Sequence, residues 1–198
     1  SFEANLVGNL AGIEADLRSH TYAPAPYRIK KVYEPKERDI YVVPFRDRVV
    51  QHAIMAVVSP IWDDLLISDS YACRVGKGIH AGSRRTMQCV KRNQYVLKCD
   101  ISKFYPSINH ETLFEIISHK IKCPPTLGVL KTIIDSAPGE TNVPIGNYTS
   151  QWFGNLYMNE VDQRAKQVYH IKDYIRYCDD FLFYSFFLYF LDISHLRH

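Results

Sequence analysis

Tyr174-Ile175-Arg176-Tyr177-Cys178-Asp179-Asp180-Phe181-Leu182-Phe183-Tyr184 sets two adjacent carboxylates between two apolar, aromatic-rich runs. The flanks predict paired strands, and the acidic pair falls where the hairpin must turn. Asp is a favoured turn residue, so an ordinary acidic turn is one reading. The other starts from repulsion. Two neighbouring carboxylates held ionised near a third are stabilised if cations neutralise them. Three carboxylates suit two Mg²⁺ ions, which prefer hard oxygen ligands and share their remaining positions with water and phosphates. Two such ions can activate an attacking hydroxyl and stabilise a leaving oxygen, the chemistry of phosphoryl transfer.

The third carboxylate is sought upstream. Val96-Leu97-Lys98-Cys99 carries a strand signal, and Asp100 stands at its exit. Asp100 can project toward a site at the sheet edge; its alternative is a turn Asp before Ser102. Phe104 and Tyr105 follow. Phe104 reads as core. The Tyr105 ring is either core or a wall against an incoming sugar, where bulk would exclude a 2′-hydroxyl. In Val143-Pro144-Ile145-Gly146-Asn147-Tyr148-Thr149-Ser150-Gln151 a loop enters a helix. Gly146 permits close backbone approach and the helix start offers free N–H groups, though a plain capped helix reads equally well.

Composition narrows the class. The chain has 198 residues, 46% hydrophobic and 23% charged, which fits one globular domain or two small subdomains. Its five cysteines are odd in number and form no C-x-x-C pair, against a disulfide framework or a zinc site and for a reducing compartment. The apolar stretch 181–193 is short and contains Asp192, against a membrane span. A cytoplasmic protein is expected. Residues 1–100 carry 15 Lys and Arg against 11 Asp and Glu; the rest carry 9 against 10. Basic clusters such as Arg28/Lys30/Lys31, Arg46/Arg48 and Arg84/Arg85 suit a phosphate backbone, but a solvated face explains them as well.

The pattern along the chain predicts an α+β fold with a small antiparallel sheet flanked by helices. Thr21 to Pro35 should be extended and Ile40 to Val43 a strand. Asp47 should cap a helix to about Val58. Helices are expected from His80 to Arg92, from an Asn109 cap to about Lys120, after Pro124-Pro125, and from Thr149 or Ser150 to about Val168. In the last, Phe153, Leu156, Tyr157, Val161, Ala165 and Val168 share a stripe. Tyr95 to Ile101 should be a strand.

These segments in this order resemble a reverse transcriptase. Tyr177-Cys178-Asp179-Asp180 matches the Y-x-D-D box, and Asp100 to Ile108 the first palm motif. Arg46-Asp47-Arg48-Val49-Val50-Gln51-His52 is similar to the finger-region D-R-x-x-Q motif of bacterial reverse transcriptases. Most of these carry Gln-Gly and Ser-Pro where this chain has Ile145-Gly146 and Ser150-Gln151. That variant, and Arg74-Val75-Gly76-Lys77-Gly78-Ile79-His80, resemble the enzymes of diversity-generating retroelements.

The resemblance implies a right-hand polymerase with fingers at 1–94, N-terminally incomplete, and a palm at 95–185. Within the palm, 112–145 would return toward the fingers. Residues 186–198 would be a divergent tail with no thumb. It implies RNA-directed DNA synthesis in a bacterial or phage-infected cell. Two Mg²⁺ ions, or Mn²⁺, would be held by Asp100, Asp179 and Asp180, with the Ile101 carbonyl as a further ligand. Tyr105 would gate the sugar, Arg38 and more weakly Lys36 would reach the triphosphate, and Gly146 and Gln151 would line the nucleotide or template side. Arg74 and Lys77 would hold template or guide the fingers. RNA template, DNA or RNA primer, dNTPs and a small basic accessory protein are the implied partners, with no membrane. A group II intron, retron or defence-type enzyme and a non-catalytic RNA-binding remnant are the competing readings.

Overall fold

Helix and strand signals alternate along this chain without a βαβ repeat, and the computed structural model, which describes residues 2–33 and 37–187, is accordingly α+β. Lys36 and the tail from residue 188 onward lie outside the described residues. The residues divide into two compact units. One is drawn from the chain up to Trp62 and from Tyr105–Phe153, the other from Asp63–Phe104 and from Gly154 onward.

In the first unit a 3₁₀ turn leads into helix α1 (Leu6–Arg18), which the apolar pattern did not single out. Within the stretch expected to be extended, Arg28–Val32 forms strand β1. It pairs antiparallel with β2 (Arg38–Val42), from Arg28 opposite Val42 to Val32 opposite Arg38. Helix α2 (Phe45–Asp63) begins directly after Pro44. The expected Asp47 cap is therefore corrected. Asp47 sits inside the first turn, buried, and accepts from the Tyr22 hydroxyl and the Ala25 N–H, both at 3.1 Å. Its carboxylate ties the preceding extended segment to the helix instead of closing the helix end.

A short helix, α4 (Phe104–Ser107), precedes α5 (His110–Lys120). The Asn109 side chain accepts from the Thr112 N–H at 2.9 Å, the N-cap read from the sequence. Helix α6 (Pro124–Asp135) opens on two prolines, which cost nothing where N–H groups lack partners anyway. α5 and α6 pack together with Leu113, Ile117, Leu130 and Ile133 buried.

The second unit is built on a three-stranded antiparallel sheet. Its strands are β3 (Tyr95–Cys99), β4 (Tyr174–Tyr177) and β5 (Asp180–Ser185), in the order β3-β5-β4. Helix α3 (Ile79–Val90) covers one face, where Tyr71, Cys89, Ile175 and Tyr184 are buried with Ala81 and Leu182 against them. On the other face Tyr174, Phe183 and Ala165 form a second cluster with Leu97 and Phe181. Cover on both faces explains why Phe181-Leu182-Phe183-Tyr184 is continuously apolar and does not alternate.

Helix α7 (Tyr148–Gln163) continues into a π turn at Arg164–Val168. Its expected apolar stripe needs correction. Val161 and Val168 are exposed, at 40% and 63%, while Asn155, Asn159 and Asp162 are buried. Those three lie at i, i+4 and i+7, so a polar stripe faces inward. It exists because β4 brings a charged partner into the interior.

Candidate active site

The two strands that carry the acidic pair meet in a two-residue turn. Tyr177 pairs with Asp180, leaving Cys178 and Asp179 as the central residues. Cys178 has φ 58, while Asp179 is not among the positive-φ residues, the φ pattern of a type II′ hairpin. Glycine is favoured at that first position; a cysteine there carries backbone strain of about 1–3 kcal/mol. Asp179 is half-buried in the turn and Asp180 is exposed at the start of β5.

The third carboxylate arrives through strand register. β3 runs antiparallel to β5 with Lys98 opposite Leu182 and Cys99 opposite Phe181. Continuing that register by one residue sets Asp100 beside Asp180 at the same end of the sheet. Asp100, Asp179 and Asp180 thus belong to one strand end of one unit. Carboxylate and carbonyl oxygens are hard donors, the chemistry that a cation of the Mg²⁺ type takes. The side chains are not gathered into a cage. Among the described residues no three His, Cys, Asp or Glu side chains are placed to hold a metal ion. Asp180 instead pairs with Lys98 Nζ at 3.3 Å. Lys98 was missed in the sequence, although its position two residues before Asp100 puts it on the same side of the strand.

A cavity of about 420 Å³ adjoins this end of the sheet, lined among others by Tyr71, Thr86, Lys98, Tyr177, Asp180 and Leu182. Tyr71 donates to Asp69 at 3.1 Å, and burial with that neighbouring carboxylate pushes its phenol up to about 12. Burial would also raise the Asp69 carboxyl. Hydrogen bonds from Arg85 and the charges of Lys166 and Arg85 outweigh it and hold Asp69 below its ordinary range.

The turn is held from behind by residues that the motif does not include. Arg176 is fully buried, and its Nη1 donates to the Cys178 carbonyl and to Asn155 Oδ1, both at 2.9 Å. Its Nε reaches both oxygens of Asp162 at 2.9 Å. Tyr174 donates to the same carboxylate at 2.7 Å, and burial, reinforced by Asp162, raises its phenol well above the ordinary value. The signal was a lone Arg inside an apolar strand, which requires a buried acid somewhere.

The other expected site residues fall as follows. Arg38 is exposed at the first position of β2. Tyr105 is half-buried on α4, with its carbonyl accepting from Val143 N–H at 2.9 Å. Phe104 is buried, as expected of a core ring. Gly146 has φ +114, and a Cβ there would meet the Tyr41 carbonyl oxygen at 2.9 Å. Its close approach is thus to the neighbouring β2 backbone, where Tyr41 N–H donates to the Ile145 carbonyl. Gln151 is exposed on the first turn of α7. Arg74 is only 7% exposed, and its three nitrogens bond to Asp63 and to the carbonyls of Asp63, Ile67 and Ser70. Its guanidinium orders its own loop. Lys77 bonds the Ser68 carbonyl and lies 5.2 Å from the Tyr71 ring centroid.

A family model for reverse transcriptase (RNA-dependent DNA polymerase) matches residues 29–188. The chain belongs to the reverse transcriptase family. Protein YkfC of Escherichia coli (strain K12) is 28% identical over 184 residues, covering 84% of this chain and 48% of YkfC. Group II intron-encoded protein LtrA of Lactococcus lactis subsp. cremoris is 23% identical over 163 residues, covering 77% of this chain and 27% of LtrA. The chain therefore spans about half, or less, of these curated relatives. A solved structure of apo telomerase from Candida tropicalis, truncated from the C-terminal domain, has a TM-score of 0.63 at 16% identity. It covers 84% of this chain and 45% of that one, a likeness of fold. The α+β architecture is thus the fingers–palm fold of reverse transcriptases. Among the described residues no helix is long and apolar enough to cross a membrane, and all five cysteines are free.

Proposed function

We propose that this chain is the fingers–palm part of an RNA-directed DNA polymerase that copies an RNA template into cDNA, of the diversity-generating retroelement type. The observation that carries the reading is the β3–β5 register, which sets Asp100 beside Asp180 with Asp179 in the adjoining turn. The retroelement type rests on Ile145-Gly146, Ser150-Gln151 and the segment Arg74 to His80.

Asp100, Asp179, Asp180 and the Ile101 carbonyl would hold two Mg²⁺ ions. Bound there, such ions supply charge neutralisation for the attacking primer hydroxyl and the leaving pyrophosphate. The protein's own part is positioning. Arg38 and Lys36 bind the triphosphate as cations. Tyr105 packs on the deoxyribose and rejects a 2′-hydroxyl by bulk. Gln151 faces the base or the template, and Gly146 keeps the preceding loop flat against β2. Lys77 contacts template phosphate, while Arg74 supports it by ordering the loop.

A single-nucleotide extension assay on an RNA template tests this, using the full natural protein with any accessory protein supplied. Asp179→Asn should lower extension by at least about 100-fold, because it removes a ligand from the ions that stabilise the developing charge. Equal extension by both proteins refutes the triad. The Lys98–Asp180 pair favours a second reading, an RNA-binding remnant without turnover. That reading predicts salt-dependent RNA binding and no incorporation by either protein.

A further inference from the structure

Arg176 is more elaborately held than a structural ion pair requires. Partnership with Asp162 alone would satisfy its charge, and Nε and Nη2 both serve it, the latter at 2.8 Å. Nη1 does something separate. It reaches along the strand to the Cys178 carbonyl two residues on, while Asn155 Oδ1 accepts from the same nitrogen on the helix side. The strand backbone is also fixed at this point: Arg176 N–H donates to the Asp69 carbonyl at 2.9 Å, and its carbonyl accepts from Tyr71 N–H at 3.0 Å.

The Cys178 carbonyl belongs to the peptide unit whose nitrogen is that of Asp179. A peptide is planar, so holding its oxygen also sets the direction of the Asp179 N–H and the axis from which the Asp179 side chain departs. The peptide lies next to a residue at φ 58, a conformation non-glycine residues keep only when their surroundings over-determine it. A planar guanidinium can bond Asp162 on one edge and the Asn155 and Cys178 oxygens on the other; a lysine ammonium cannot span both.

We propose that Arg176 is a positioning residue for the acidic turn. Anchored on Asp162 and Asn155, it holds the Cys178–Asp179 peptide so that the Asp179 and Asp180 carboxylates stay oriented toward a shared divalent ion. The inference rests on the proposed metal-dependent reading of that turn. It predicts that Arg176 governs metal affinity through the turn without touching the metal or the substrate.

The test titrates the full natural protein with Mn²⁺, free ion being read by electron paramagnetic resonance, with fold followed by far-UV circular dichroism. Asp179→Asn marks the site. Arg176→Lys should bind Mn²⁺ about tenfold more weakly per folded molecule, the usual scale for loss of a group that orients a ligand. Asn155→Ala leaves the ion pair in place and should weaken binding in the same direction; it decides the matter if Arg176→Lys does not fold. In primer extension the same variants should lose kcat with little change in the KM for dNTP. If Asp179→Asn abolishes Mn²⁺ binding while folded Arg176→Lys and Asn155→Ala bind like the natural protein, the positioning role is overturned and the metal reading stands. If Mn²⁺ binding is absent or indifferent to Asp179→Asn, the metal reading falls and takes this role with it.

Discussion

Asp162→Ala should be among the most damaging single substitutions in the second unit. The Asp162 carboxylate accepts from Tyr174 Oη at 2.7 Å, Arg176 Nε at 2.9 Å and Arg176 Nη2 at 2.8 Å, and both members of the ion pair are fully buried. Truncation leaves a guanidinium uncompensated in the interior, a cost of about 3–5 kcal/mol. The orphaned Tyr174 hydroxyl adds about 1 kcal/mol. Against a total stability of about 5–15 kcal/mol, that is a large share. The decisive comparison is Asp162→Leu with Arg176→Met together. Removing both charges deletes the desolvation problem and costs the Tyr174 hydroxyl and Asn155 Oδ1 one hydrogen bond each. The double variant should therefore be more stable than Asp162→Ala, with a coupling of about 2–3 kcal/mol in the cycle. Urea unfolding followed by far-UV circular dichroism, with comparable slopes, measures it. A cost below about 1 kcal/mol for Asp162→Ala, or strict additivity in the cycle, would refute the reasoning.

Gly146→Ala should cost at least about 2 kcal/mol, since φ +114 is unfavourable for a side chain and the new Cβ meets the Tyr41 carbonyl at 2.9 Å; an unchanged unfolding midpoint contradicts the close approach. The Asp69 carboxyl is held below its ordinary value of about 4, so its stabilisation is present above that pH and is lost as pH falls through the folded value. Urea midpoints between pH 6 and pH 3 should fall less steeply for Asp69→Asn than for the natural protein, and parallel curves count against the Arg85–Asp69 pairing. Lys98→Met should change stability by no more than about 0.5 kcal/mol, because the pair with Asp180 is 68% and 53% exposed. The same change frees Asp180 and should tighten Mn²⁺ by at most about fivefold; weaker binding would mean that Lys98 supports the site.

Much of the fold could be read from local pattern. The terminal hairpin, the Asn109 cap and the break at Pro124-Pro125 each depend on residues a few positions apart, and each is found where its chemistry requires. The errors share a cause. Asp47 was read as a cap because a short acid before an apolar run normally is one, yet its partners are Tyr22 and Ala25, more than twenty residues away. The α7 stripe was read from its apolar residues, and the helix turns Asn155, Asn159 and Asp162 inward.

Residue identity specifies the chemistry on offer: three carboxylates, a hairpin to carry two of them, and a strand ending at the third. Those depend on side-chain identity and on the strand period, which are local. The tertiary structure alone decided how that chemistry is held. Register set Asp100 beside Asp180, Lys98 came to rest on Asp180, and a guanidinium buried behind the sheet gripped the peptide before Asp179. Those contacts join residues up to 82 positions apart, from Lys98 to Asp180. Backbone pairing of β3 with β5 brings the first two together, and burial, by making an unpaired polar group costly, fastens Arg176 to its oxygens.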